Sequence, residues 1–184
     1  MQVFVGVDPS ITNTGVVVLD TNGSTVTAFD GNEAYKHTKH KVDIARYMCQ
    51  AQYIADRLRE YDIQAIGYEN YSYNSIHKSY SLGEYNGILK LFLYELHPLD
   101  LHLIAPLTNK KFAVGNGQAA KELVQQQAVA ESPELAQRSF DITDAYFLAK
   151  YVFYRMFPDK AVHLDKGNRN LRTRLEMVIP RRRR

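Results

Sequence analysis

Short segments rich in apolar residues follow one another at the start of the chain, VFVGV, then TGVVVLD and STVTAFD, and alternation along the first puts Val3, Val5 and Val7 on one face and Phe4, Gly6 and Asp8 on the other. This patterning predicts three short strands. Thr21-Asn22-Gly23 separates the second and third, and its Asn-Gly step favours a tight hairpin, so the chain should open as an antiparallel meander. From about 39 to 60 the period changes: Ile44, Tyr47, Ala51, Ile54 and Leu58 recur every three or four positions, the spacing of a helix packed on one face. IQAIGYE predicts a strand returning to the sheet, and YSLGEYNGILKLFLYELH a second helix. Gly83 and Gly87 fall one turn apart in that helix and weaken it by about 1 kcal/mol each relative to Ala, so they are expected to admit another backbone closely. LHLIAP reads as a fifth strand, and LTNKKFAV and QAAKELVQQQAVA as helices around the loop GNG. Pro133 marks a boundary before a long final helix that contains YFLAKYVFYRMF. Meander, helix, strand, helix, strand and further helices together imply an α/β fold, a mixed sheet with helices on its faces.

At 184 residues, with 45% of them apolar, the chain is sized for one domain with a substantial core. Cys49 is the only cysteine, so no disulfide can form within the chain, and its helical context predicts burial as a small hydrophobe. MQVFVGVDPS lacks a basic leader, and no run approaches the ~18 apolar residues of a spanning helix, so a cytoplasmic location is expected. Charge is unevenly placed. Residues 1–154 carry 13 Lys or Arg against 17 Asp or Glu, whereas residues 155–184 carry 10 against 3. The closing LRTRLEMVIPRRRR suits either contact with a polyanion or a solubilising tail.

Acids stand where strands should end. Asp8 follows the face shared by Phe4 and Gly6 and precedes the strand-ending Pro9; it either bonds to the amides of the following turn or forms part of a site. Glu69 closes AIGYE, and an acid ending an interior strand is costly to desolvate unless it is paired or metal-bound. Asp141 and Asp144 in FDITDA are i,i+3 neighbours that can face one direction. Capping offers a purely structural account of that pair, with Asp141 as N-cap and Asp144 at N3. Capping does not account for acids at two separate strand ends. If the sheet gathers all four, their repulsion calls for hard divalent cations with oxygen ligands, Mg²⁺ or Mn²⁺, and two ions about 4 Å apart would suit phosphodiester hydrolysis. No Cys/His grouping resembles a zinc site, and His37 and His40 read as surface residues. Tyr71 and Tyr73 in NYSYNS could stack on exposed bases or cover a loop.

VGVDPSITNTG, the acid in IGYEN, KSYSLGEYNG, NKKFAVGNGQAAK and FDITDAYFLA, in that order, resemble the RuvC-type Holliday junction resolvases of the ribonuclease H-like fold group. The resemblance spans about residues 3–155. It implies a five-stranded mixed sheet, three antiparallel strands and then two parallel ones, flanked by helices. It also implies that Asp8, Glu69, Asp141 and Asp144 form the catalytic, metal-holding cluster. Lys110 resembles the family's lysine near the scissile phosphate, with Lys111 as its adjacent competitor, and Lys121 its second functional basic residue. The implied assembly is a homodimer that cuts two like-polarity strands of a four-way DNA junction and leaves 5′-phosphates and 3′-hydroxyls. Tyr71 or Tyr73 would inherit the aromatic role behind the glutamate. Lys78 and the terminal Arg181, Arg182, Arg183 and Arg184 are further DNA-binding candidates.

The expected organisation is a nuclease domain over residues 1–157 and a basic extension over 158–184 that could widen binding to forks and flaps, as in the branched-DNA resolvases of bacterial viruses. The same acids would serve a flap or fork endonuclease, or a nuclease of RNA-containing hybrids. The actin-like ATPases share the fold and a similar glycine-bearing loop but normally duplicate it in a longer chain. A binding protein without catalysis fits poorly with retention of all four acids.

Overall fold

The structure, a computed structural model, describes residues 1–35, 43–70, 79–98, 101–165 and Met177. Tyr71, Tyr73, Lys78, Arg181, Arg182, Arg183 and Arg184 lie outside the described residues, as do His37 and His40. The strands are β1 (Gln2–Asp8), β2 (Gly15–Asp20), β3 (Thr25–Asp30), β4 (Asp62–Glu69) and β5 (His102–Ile104). They form one sheet in the order β3-β2-β1-β4-β5. The meander pairs antiparallel, as the sequence pattern implies, and β4 and β5 join in parallel, as the resemblance implies. The hairpin between β2 and β3 is closed by the Asp20 carboxylate, which accepts from the amides of Asn22 and Ser24 at 2.8 and 2.9 Å. Within the turn only Gly23 has positive φ, so the Asn-Gly step supplies a single left-handed residue.

Among the described residues, helices α1 (Asp43–Leu58), α2 (Ser79–Leu96), α3 (Pro106–Val114), α4 (Lys121–Glu131) and α5 (Phe140–Met156) cover the two faces. Strand alternation assigns them to sides. Val3, Val5 and Val7 pack with Tyr47, Ile54 and Leu58 of α1 and with Tyr85, Leu89 and Leu93 of α2. Phe4, Val17, Leu19 and Ala65 point the other way, into a cluster with α3, α4 and almost every apolar residue of α5. Met177 is half-buried against the same cluster. Cys49 is also half-buried, with its thiol directed at the Ala34 carbonyl 3.6 Å away.

The α5 side of the sheet has a floor of glycines. A Cβ added to Gly6 would stand 1.9 Å from the Ala145 carbonyl oxygen, and one added to Gly15 would stand 2.2 Å from that of Asp141. Gly67 on β4 meets Leu148 in the same way. Neighbouring strands therefore present hydrogen where other residues present a side chain, and α5 lies directly against the sheet backbone. The expectation for Gly83 and Gly87 is corrected: nothing described lies within 4 Å of a Cβ built at either. Gly87 is exposed on the outer side of α2, while Tyr85, Leu89 and Leu93 take the buried side, so periodicity in this helix is carried by its large residues.

The two kinds of glycine should separate cleanly in urea denaturation. Gly6→Ala meets backbone atoms that cannot rotate away and is expected to cost about 3 kcal/mol, the upper range of overpacking. Gly87→Ala, in an open helix interior, should stabilise by about 0.5–1 kcal/mol. Equal effects at the two positions would contradict the packing described.

Candidate active site

Parallel pairing of β1 and β4 places Val7 beside Tyr68, so Asp8 and Glu69, which follow them, leave the sheet side by side. Antiparallel pairing sets Gly15 opposite Asp8, and Gly15 is the residue over which the Asp141 backbone passes. Contact with the glycine floor thus brings the first turns of α5 to the end of β1 and β4. The loop after Asp8 is held from the other face of the sheet. Thr14 is buried, its hydroxyl 2.5 Å from Tyr85 Oη, and Gln50 Nε2 donates at 3.0 Å both to Thr14 Oγ1 and to the Ser10 carbonyl.

The capping account of FDITDA is also corrected. Helix α5 begins at Phe140, and its N-cap is Ser139, whose hydroxyl accepts from the Ile142 amide at 3.3 Å. Asp141 and Asp144 lie inside the helix, leaving their carboxylates available to face the strand ends. Asn109, buried on α3, donates to the Asp144 backbone carbonyl at 3.0 Å and ties α3 to this turn of α5.

The electrostatics record the convergence. Burial holds Asp8 well above its ordinary carboxylate range, and repulsion from Glu69, Asp144 and Asp141 adds to it, with Lys121 opposing. Burial, then repulsion from Asp144, pushes Glu69 up to about 8, against the pull of Lys121 and Lys110. Asp144 is raised to about 6 by burial and by Asp141, again with both lysines opposing. Asp141 is raised by burial and by Asp30, while Lys121 and a hydrogen bond from Asn13 hold it down. Desolvation and like charge act together on all four groups.

Lys121, the first residue of α4, therefore acts on all four acids; its ammonium also stands 5.8 Å from the Phe140 ring centroid. Lys110 acts on Glu69 and Asp144, and its ammonium donates to the Ala119 carbonyl at 3.0 Å, joining α3 to the segment before α4. Lys111 is exposed and is not among the cations acting on these acids. Of the two neighbours, Lys110 is the one whose charge acts on the acids. Sequence reasoning missed Asn13, Asp30, Ser139 and Asn109, whose short polar side chains carry no periodic signal. The Ser139 cap alone had a local cue, a serine just before the apolar run of α5.

Among the described residues, no three His, Cys, Asp or Glu side chains converge closely enough to share an ion as they lie. The acids stand apart while remaining near enough to raise one another's pKa values. Their donor chemistry fits a hard divalent cation: the groups offer only carboxylate oxygens, they are largely buried, and that burial raises each of them against the pull of Lys121.

A mixed five-stranded sheet in this order, with helices on both faces, is the ribonuclease H-like topology. The sequence model of crossover junction endodeoxyribonuclease RuvC matches residues 4–150, and the chain belongs to the RuvC family. It is accordingly a metal-dependent, structure-specific nuclease of branched DNA. Among solved structures it is similar to Thermus thermophilus RuvC at 22% identity, over 84% of this chain and 96% of that one, with a TM-score of 0.65. A second structure, T. thermophilus RuvC in complex with Holliday junction substrate, aligns with the same identity and coverage and a TM-score of 0.64. Among curated proteins none matches the sequence significantly. No helix among the described residues is long and apolar enough to cross a membrane.

The raised acids give stability a definite pH dependence in metal-free protein. Glu69 keeps its proton in the folded state up to about pH 8 but loses it near pH 4.5 when unfolded, and Asp144 behaves likewise up to about pH 6. Between these limits the unfolded chain binds fewer protons, so stability should fall as pH rises from about 4.5 to 8. Denaturation in EDTA should show this decline. Glu69→Gln should flatten it and be more stable than wild type at pH 8 by about 1–2 kcal/mol. A wild-type stability that rises across this window would contradict the electrostatic account.

Proposed function

We propose that the chain resolves four-way DNA junctions as a homodimer, each of two separated active sites nicking one of two strands of like polarity. The observation that supports this reading is the placement of Asp8, Glu69, Asp141 and Asp144 at one end of the sheet, near enough to feel one another's charge, with Lys121 acting on all four and Lys110 on Glu69 and Asp144. The family match and the likeness to a resolvase with Holliday junction substrate support the choice of DNA branch.

In this reading Asp8, Glu69, Asp141 and Asp144 hold Mg²⁺, with Mn²⁺ able to substitute, at two ions per site. Bound divalent ions would activate water and stabilise the leaving oxygen. Hydrolysis joins a water oxygen to phosphorus and breaks the bond to O3′; the departing O3′ takes a proton, leaving a 3′-hydroxyl and a 5′-phosphate. Lys110 and Lys121 bring positive charge to the scissile phosphate, and the Lys110 bond to Ala119 restricts how far its ammonium can stray. Residues 1–157 form the nuclease domain. Residues 158–184 form a basic extension that adds contacts to phosphates, which position DNA without reading its sequence. Lys111, Lys78, Arg181, Arg182, Arg183 and Arg184 are assigned to such contacts, and Tyr71 or Tyr73 to stacking at the branch. A single cysteine and no internal disulfide suit the bacterial cytoplasm.

Matched four-way, three-way and flap substrates, incubated with Mg²⁺ and mapped on sequencing gels, test this reading. The expected product is a pair of symmetric nicks in the four-way junction. Asp8→Asn and Asp141→Asn should each lower cleavage by about 100-fold or more while retaining junction binding. Asymmetric cutting confined to flaps would replace junction resolution with a flap endonuclease, and normal cleavage by both variants would overturn the site assignment.

A further inference from the structure

Asp30 ends β3, on the side of the sheet away from Glu69, yet it joins the acid cluster through an amide. Asn13 Nδ2 donates to Asp30 Oδ1 at 2.8 Å and to Asp141 Oδ2 at 3.2 Å. The orientation follows from chemistry, because the reversed amide would direct its oxygen at two carboxylates. Both hydrogens of one amide are thus spent on two acids that repel each other. Asn13 Oδ1 remains buried with no partner among the described residues.

Asp30 is itself fixed. Its Oδ1 also accepts from Ser139 Oγ at 2.9 Å, and Ser139 is the cap that starts α5. The next residue, Gly31, donates its amide to the Thr14 carbonyl at 2.7 Å, so the end of β3 and the loop carrying Asn13 are joined twice. A local turn would need neither bond from Asn13, since its partners lie 17 and 128 residues away.

We propose that Asn13 is a positioning residue that fixes the Asp141 carboxylate for cation binding, with Asp30 as its anchor. This rests on the reading of Asp141 as a metal-holding acid. Asparagine suits the position because it donates to both acids without adding charge, whereas lysine would neutralise the repulsion that favours a divalent ion, and aspartate would add to it. Neighbours that orient a metal-holding group commonly alter metal affinity or activity by about 10–100-fold when removed.

The test uses the full chain without DNA, titrated with Mn²⁺ and followed by electron paramagnetic resonance of the free ion, alongside junction binding and cleavage. Asn13→Ala is expected to weaken Mn²⁺ binding about tenfold or more, and to lower cleavage by a similar factor, with junction binding and metal-free urea midpoint close to wild type. Asp30→Ala should reproduce both losses, and Asp30→Asn, which keeps an acceptor oxygen, should recover Mn²⁺ affinity to within about threefold of wild type. Wild-type Mn²⁺ affinity in both Asn13→Ala and Asp30→Ala would overturn the proposal, as would losses no larger than the change in folding stability. Asp141→Asn separates the two levels of inference. If it loses Mn²⁺ affinity while Asn13→Ala does not, only the positioning role falls; if it retains full affinity, the reading of Asp141 falls with it.

Discussion

The site depends on one close contact, that of α5 with the backbone of the sheet. Helix carbonyls pass so near Gly6 and Gly15 that no side chain fits between them, and Gly67 extends the same surface onto β4. A helix held off by ordinary side chains would carry its first turns several ångströms farther from the strand ends, about the usual spacing of packed layers. The glycines therefore act at a distance from the chemistry: they set the height at which Asp141 and Asp144 meet Asp8 and Glu69. Large apolar residues on the rest of α5, among them Phe147, Leu148 and Phe153, then hold the helix down.

That geometry opposes stability locally. Four carboxylates share a largely dry corner, and burial and repulsion raise all of them despite two lysines. The surrounding polar bonds oppose the splaying that repulsion favours. Gln50 and Tyr85 hold Thr14 from below, Asn109 holds the backbone of Asp144, and Ser139 anchors the helix start to Asp30. Buried carboxylates that repel one another are suited to exchanging their protons for divalent cations, and the core stabilises the fold that keeps them together.

Much of this was legible in the sequence because it was periodic. Short apolar runs such as VFVGV and GVVVL marked strands, and the acids that closed VFVGVD and AIGYE stood out as expensive at interior positions. The return of β4 to the sheet was readable from its apolar run, and its parallel joining came from the resemblance. What escaped was set by tertiary contact. Gly83 and Gly87 looked like a close-approach pair by spacing, yet no described atom lies within 4 Å of a Cβ at either, while the glycines that do admit a backbone sit singly in strands. Asp141 had a plausible local role as a cap until Ser139 took it. Asp30 closed a strand as Asp8 and Glu69 closed theirs, but neither its link to Asn13 nor that of Asn13 to Asp141 carried a signal, because those partners lie far along the chain and only folding brings them together.

The central claim is that these acids form a single cation-dependent centre. Anomalous diffraction from crystals grown with Mn²⁺, recorded on either side of the manganese edge, tests it without reference to DNA. The account predicts anomalous density bounded by Asp8 and at least two of Glu69, Asp141 and Asp144, with the carboxylates drawn inward from their present separation. Ordered manganese found only elsewhere on the protein, with the four carboxylates still splayed, would contradict it.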